Sequence, residues 1–302
     1  MNNEKKSLVF FGSGPVAAES LRLLSKTFSI EAVITKPTTE QEMHLVLPTI
    51  PIYLVSNKSE LDNLIESNSF KSSCAVLIDF GIIVSQKVID YFPNGIINSH
   101  FSLLPELRGA DPISFAILEG REKTGVSLML LVEAMDEGPI LSVGEQTIEF
   151  DDTTTNLTEK LIKLSYSLLE HSIPKYLTGE IVPRDQNYIS EHFSRKVSYT
   201  RKLTKSDGVI DWNKPALQIE REIRAYSGWP KSRTSLGGID CVVTKARIQE
   251  LSGKPGTLFI DGKSFGVYCG QGALLIERLK PAGKNEMDAR SFINGYINKL
   301  NT

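Results

Sequence analysis

Apolar residues in the first half of the chain fall in short unbroken runs, with helically spaced segments between them. The Val, Ile and Leu runs at 7–11, 31–35, 74–78, 95–98 and 126–132 do not alternate with polar residues, which predicts strands buried on both faces. Residues 16–26 and 61–65 carry the three-and-four spacing of amphipathic helices, and a Pro/Thr-rich turn follows the second strand. Strands alternating with helices predict a doubly wound, mainly parallel sheet. The clearest helix lies within 151–178. Asp152 and Thr153 offer caps, Leu157, Leu161, Leu164 and Leu168 form the apolar stripe, and Thr178-Gly179 and Pro183 end it. From Arg184 to Ser206 the chain turns polar and loses its periodicity, so an extended linker is expected there. Beyond it, a helix at 216–225 precedes short runs at 242–244, 257–260, 266–269 and 274–279, separated by glycines. That rhythm predicts a small β-barrel. The expected architecture is thus α/β: a sheet domain at 1–183, a linker at 184–206 and a second domain at 207–302.

Composition agrees with two globular domains. The 302 residues are 41% hydrophobic and 23% charged, which excludes wholesale disorder. No apolar run reaches the roughly 18–20 residues of a membrane span. Lys5-Lys6 before the run at 8–11 faintly resembles a signal peptide, but the run breaks at Gly12 and reads better as a first strand. Three scattered cysteines and four histidines without metal-ligand spacing argue for a reducing compartment, with no metal and no membrane partner. A cytoplasmic protein is expected. The net charge of -2 hides an asymmetry: from Arg184 onward 20 basic residues face 12 acidic ones, against 14 and 24 before it. A basic C-terminal half suits an anionic partner, or reflects variation between two domains.

Two constellations stand out. Gly12-Ser-Gly14-Pro-Val-Ala17 has the form of a dinucleotide-binding turn in a Rossmann-like sheet. The ribose-binding acid expected at the end of the second strand is replaced by Thr35-Lys36-Pro37, so the motif reads as a tight strand–helix turn. The second is Gly95 to Gly109, G-I-I-N-S-H-F-S-L-L-P-E-L-R-G. Asn98 and His100 lie two apart at a strand end and face the same way. An amide can donate to a developing oxyanion and an imidazole can move a proton, which suits acyl transfer. The bland alternative is a polar strand end with a satisfied histidine. Asp136 follows an apolar strand, where a loop is expected to reach the carboxyl edge of the sheet; an ordinary turn aspartate is the alternative there.

The run N-S-H-F-S-L-L-P-E-L-R-G-A-D-P, with Asp136 standing 36 residues after His100, resembles the signature of the folate-dependent formyltransferases. The likeness runs the whole length, through D-F-G-I-I-V at 79–84, I-D-W at 210–212, I-R-A-Y-S-G-W-P at 223–230, P-A-G-K at 281–284 and D-A-R-S-F-I-N-G at 288–295. It is greatest for members that act on methionyl-tRNA. The resemblance implies formyl transfer from 10-formyltetrahydrofolate to a primary amine. Asn98 and His100 would polarise the formyl oxygen, and Asp136 would hold the histidine and assist proton movement. Ser102, Leu103, Leu104 and Pro105 would form part of the folate site. The implied acceptor is initiator methionyl-tRNA, gripped by an OB-like C-terminal domain and the linker, above all Arg195, Lys196, Arg201, Lys202 and Lys205.

Three features depart from the family pattern. The segment after the second strand, K-P-T-T-E-Q-E-M-H at 36–44, is short and carries Glu40 and Glu42 in place of a long basic loop. Phe101 replaces a glycine, and Asp79-Phe80 replaces a small residue and a tyrosine near the expected pterin pocket; each either narrows that pocket or repacks it. A nucleotide-linked amino sugar is the alternative acceptor. A non-catalytic RNA- or nucleotide-binding relative is the second alternative.

Overall fold

A computed structural model describes residues 5–261 and 264–300. Along the chain run β1 (Ser7–Gly12), α1 (Pro15–Thr27), β2 (Ser29–Thr35), α2 (Glu40–Val46), β3 (Ile52–Leu54), α3 (Lys58–Ser67), β4 (Ala75–Ile78), α4 (Gln86–Tyr91), β5 (Ile96–His100), α5 (Pro112–Leu118), β6 (Lys123–Leu130), β7 (Ile140–Thr147), α6 (Thr154–Leu177) and α7 (Gln186–Phe193). There follow α8 (Ala216–Ala225), β8 (Ser232–Leu236), β9 (Ile239–Gln249), β10 (Leu258–Asp261), β11 (Ser264–Tyr268), β12 (Ala273–Pro281), β13 (Met287–Asp288) and α9 (Ala289–Leu300). Two compact units result. One contains 1–112, 123–147 and 158–200; the other contains 113–122, 148–157 and 201–302.

In the first unit seven strands stand in the order β3-β2-β1-β4-β5-β6-β7. The strands from β3 to β5 pair in parallel, as their unalternating apolar runs require of a sheet covered on both sides. Val9, Phe11, Ala32, Ile34, Ala75 and Leu77 share one buried cluster with Leu61 and Ile65 of α3 and Val88 of α4. Phe80 packs edge-on against Phe11 at 5.6 Å, so this departure from the family pattern fills the core. The β6 and β7 edge is antiparallel. Strand direction is a tertiary property that local periodicity does not carry, and here it changes how Asp136 reaches the site.

Two local expectations are corrected. Residues 36–44 form a 3₁₀ turn at Pro37–Thr39 and then helix α2, anchored by buried Met43, instead of a loop. The expected extended linker contains α7, capped by Asp185, whose carboxylate accepts from the Asn187 N–H at 2.7 Å.

The second unit holds a smaller antiparallel sheet in the order β10-β11-β12-β9-β8, with β13 paired to β12. Its core joins Ile219 and Ile223 of α8, Phe265, Val267, Leu274 and Ile276 of the sheet, and Phe292 of α9. Among the described residues no helix is long and apolar enough to cross a membrane.

Candidate active site

Asn98 and His100 sit on β5 with 8% and 7% of their surface exposed. Polar groups so deep need partners. His100 finds one in the loop after its own strand, where Nε2 donates to the Leu107 carbonyl at 3.0 Å. A carbonyl only accepts, so Nε2 carries the proton and Nδ1 is left on the opposite side of the ring. Nδ1 lies 3.6 Å from Oδ2 of Asp136, and the Asn98 Nδ2 lies 3.5 Å from Oδ1 of the same carboxylate. Both contacts are longer than a good hydrogen bond, and contacts of this length in a free enzyme tighten or exchange partners when substrate binds.

Asp136 does not arrive from the carboxyl edge of the sheet, as its place in the sequence suggests. Because β6 runs antiparallel to β5, Leu130 pairs with Ile97, and the β6–β7 connection leaves the sheet at the amino end of β5. The connection folds back over the face that Asn98 and His100 share. At its turn Asp136 takes a left-handed φ of 53°, which aspartate tolerates better than most residues. Its carboxylate is held by the Gly109 N–H, which donates to Oδ2 at 2.7 Å. Gly109 itself has φ 101°, and a Cβ there would come within 2.7 Å of the Thr200 carbonyl oxygen. Only glycine suits that position.

Behind these groups lies a polar layer that sequence reasoning missed, with Arg108 and Gln186 buried and Glu137 and Tyr199 at its exposed edge. Arg108, 9% exposed at its side chain, donates through Nε and Nη2 to Oε1 of Gln186 at 3.1 and 2.7 Å. Its Nη1 reaches Glu137 at 3.0 Å and the Tyr199 hydroxyl at 3.1 Å. Gln186 Nε2 donates to the carbonyls of Asp136 and Gly138 at 2.7 and 2.9 Å. Residues 198–200 run beside Arg108: its N–H donates to the Ser198 carbonyl at 2.9 Å, and the Thr200 N–H donates to its carbonyl at 2.7 Å. The Arg108-Gly109 pair was a visible signal for this layer. A lone glutamine in a polar stretch gave none.

The other candidates fall in several places. Ser102, Leu103, Leu104 and Pro105 are all buried. The Ser102 hydroxyl donates to the Glu106 carbonyl at 2.6 Å, and the Leu104 N–H donates to the Ser127 hydroxyl at 3.0 Å, so these two polar groups are satisfied within the fold. Phe101 is buried with them. Asp79, with φ 49°, is exposed at the end of β4; the protein crowded around it pushes its carboxyl above the usual range, with Asp111 adding to the rise and Lys36 opposing it. In the glycine turn, the Ser13 hydroxyl accepts from the Lys36 N–H at 3.2 Å, and buried Thr35 bonds to Thr39 at 2.7 Å. The position of a ribose-binding acid is thus taken by an internally satisfied threonine. Among the described residues no group of three or more His, Cys, Asp or Glu is placed to hold a metal ion. The three thiols are free, buried and pushed up by that burial, to about 12 at Cys74 and Cys241 and about 11 at Cys269.

Comparison with known proteins shows the family of the chain. Residues 6–173 match the formyl transferase family, and residues 202–297 match the formyl transferase C-terminal domain. The chain is 33% identical to the methionyl-tRNA formyltransferase of Trichlorobacter lovleyi over 308 residues, covering 98% of this chain and 96% of that protein. Among solved structures, the N-formyltransferase of Helicobacter canadensis, in complex with folinic acid and dTDP-3-aminofucose, has a TM-score of 0.66 at 19% identity, covering 90% of this chain and 98% of that one. HypX of Aquifex aeolicus, in complex with tetrahydrofolic acid, has a TM-score of 0.66 at 15% identity, covering 96% of this chain and 47% of that one. At such identities the two structures share the fold alone. With both of its halves matched and a near-full-length relative at this identity, the chain belongs to the formyl transferase family.

Proposed function

We propose that this enzyme transfers the formyl group of 10-formyltetrahydrofolate to the amino group of methionyl-tRNA, the step that prepares the initiator for translation in the cytoplasm. The observation that carries the reading is the convergence of Asn98 and His100 of β5 with Asp136 of the β6–β7 connection. Near-full-length likeness to proteins named for that reaction supports the acceptor. The three buried free thiols fit a reducing compartment.

The donor supplies a formyl carbon bonded to N10. Asn98 Nδ2 donates to the formyl oxygen as negative charge develops there, and His100, with Nε2 tied to Leu107 and a second proton on Nδ1, donates to the same charge from Nδ1. The bond from the acceptor nitrogen to the formyl carbon forms as the bond to N10 breaks. Asp136 accepts the proton the amine loses, which ends on N10. Exposed Ile83 and Met135, on the loops after β4 and β6, are candidate apolar surface for the pteridine, together with the segment Ser102–Pro105. On this reading 1–183 is the catalytic domain, 184–206 the connection and 207–302 the domain that meets tRNA phosphates.

One observation favours an amino-sugar nucleotide instead: the segment after β2 is a short helix whose first turn carries Glu40 and Glu42. Formyl transfer assayed side by side on methionyl-tRNA and a panel of nucleotide-linked amino sugars separates the two. Turnover on the tRNA alone supports the proposal, and turnover on a sugar alone refutes it.

A further inference from the structure

From the bonds around its carboxamide we infer that Gln186 is a positioning residue of this site, acting through Asp136 and Gly109; the inference rests on the formyl-transfer reading. Gln186 opens α7 and is 3% exposed, although most of that helix faces solvent. Its carboxamide uses its full capacity. Two N–H groups go to the Asp136 and Gly138 carbonyls, and Oε1 takes both arms of the Arg108 fork. One amide therefore joins the loop that carries Asp136 to the loop that carries the His100 acceptor, Leu107, and the Asp136 donor, Gly109.

The chemistry of the join is specific. Only a primary carboxamide offers two donors and an acceptor with two lone pairs from one planar group. Glutamate at this position would keep the Arg108 contact and turn an acceptor oxygen toward two carbonyls. Methionine would keep the volume and lose every bond. Asp136 is held in a left-handed conformation, which persists only when its surroundings impose it. Without the amide the Asp136 backbone is released, and its carboxylate leaves the position between Asn98 and His100. A misplacement of about 1 Å at a reacting group costs roughly 10²-fold in rate.

The test is steady-state formyl transfer by wild type, Gln186→Met, Gln186→Glu, Asp136→Asn and the Gln186→Glu/Asp136→Asn double variant, with thermal melts of each. The expected result is a kcat lower by roughly 10²-fold in Gln186→Glu, with KM for both substrates within about 3-fold of wild type. The double variant should be no slower than Asp136→Asn by more than about 3-fold, because both changes remove the same group from action. Gln186→Met should behave alike where it folds, and Gln186→Glu, which keeps its Arg108 partner, decides the matter where it does not. A Gln186→Glu enzyme with near-normal kcat, an effect confined to KM, or losses that multiply in the double variant would each overturn the inference. A wild-type enzyme that formylates no amine would instead overturn the functional reading on which it rests.

Discussion

His100 is tied by Nε2 to the carbonyl of Leu107 at 3.0 Å, a residue seven positions further along its own chain. The bond fixes which nitrogen holds the proton and turns Nδ1 toward Asp136. The ring is thus oriented by a backbone carbonyl and not by the carboxylate. Leu107 pays for this with a left-handed φ of 55°, unusual for a branched side chain.

Asn98→Ala removes the one side-chain amide in the cluster. Turnover should fall roughly 10²- to 10³-fold, or about 2.7–4 kcal/mol of transition-state stabilisation. Asp136→Asn should lose at least as much, and the two losses should not add. Single-turnover rates alongside thermal melts check this, since both variants should fold.

Gly109→Ala places a Cβ against the Thr200 carbonyl in a backbone region that costs alanine roughly 1–3 kcal/mol. The variant should melt at lower temperature, and kcat should fall because the Gly109 N–H no longer reaches Asp136. Unchanged kcat in a folded variant would remove Gly109 from the account.

In the second unit, the Arg201 guanidinium donates to Asp207 at 2.9 Å and holds its carboxyl well below the usual 3.8, with the Thr204 N–H helping. The folded state lowers this pKa, so between the two values the unfolded chain binds more protons and stability rises with pH. The stabilisation is complete above the ordinary carboxylate range and is lost as pH falls toward the folded value. Asp207→Asn should therefore lower the melting temperature near neutral pH, and its gap from wild type should narrow below about pH 4. A gap independent of pH would contradict the assignment.

The Asp207 bond also decides which basic residues are left for the proposed tRNA contact. Arg195 pairs with Glu145 at 3.2 Å and Arg201 with Asp207, whereas Lys196, Lys202 and Lys205 are exposed. The lysines are the better test of phosphate contact. Lys202→Glu with Lys205→Glu should weaken tRNA binding and reduce the slope of log K against log salt by about 0.7–0.9 per lost contact. Folate binding should be unaffected. Equal slopes in titrations of both proteins would exclude these lysines from the interface.

Some of this was legible in the residues alone. Asn98 and His100 stood out because two polar side chains capable of acyl-transfer chemistry lie two apart, on one face, at the end of a strand. The leucine stripe of α6 was equally plain, with Leu157 and Leu161 fully buried. What stayed hidden has one cause. The reversed direction of β6, the return of the Asp136 loop over the sheet and the burial of Gln186 all depend on partners distant in sequence. The strand β8, S-R-T-S-L, has too few apolar residues to announce itself and exists through its pairing with β9. Helix α9 contains Gly295 and is held by Phe292 packing on Phe265 at 5.4 Å.

The most direct test of the account follows a labelled formyl group from 10-formyltetrahydrofolate to charged initiator tRNA, with wild type and His100→Ala run together. The account predicts label in the methionyl group with wild type, and a rate lower by roughly 10²-fold or more with His100→Ala in a protein that still melts cooperatively. Transfer by His100→Ala at a near-normal rate would contradict it.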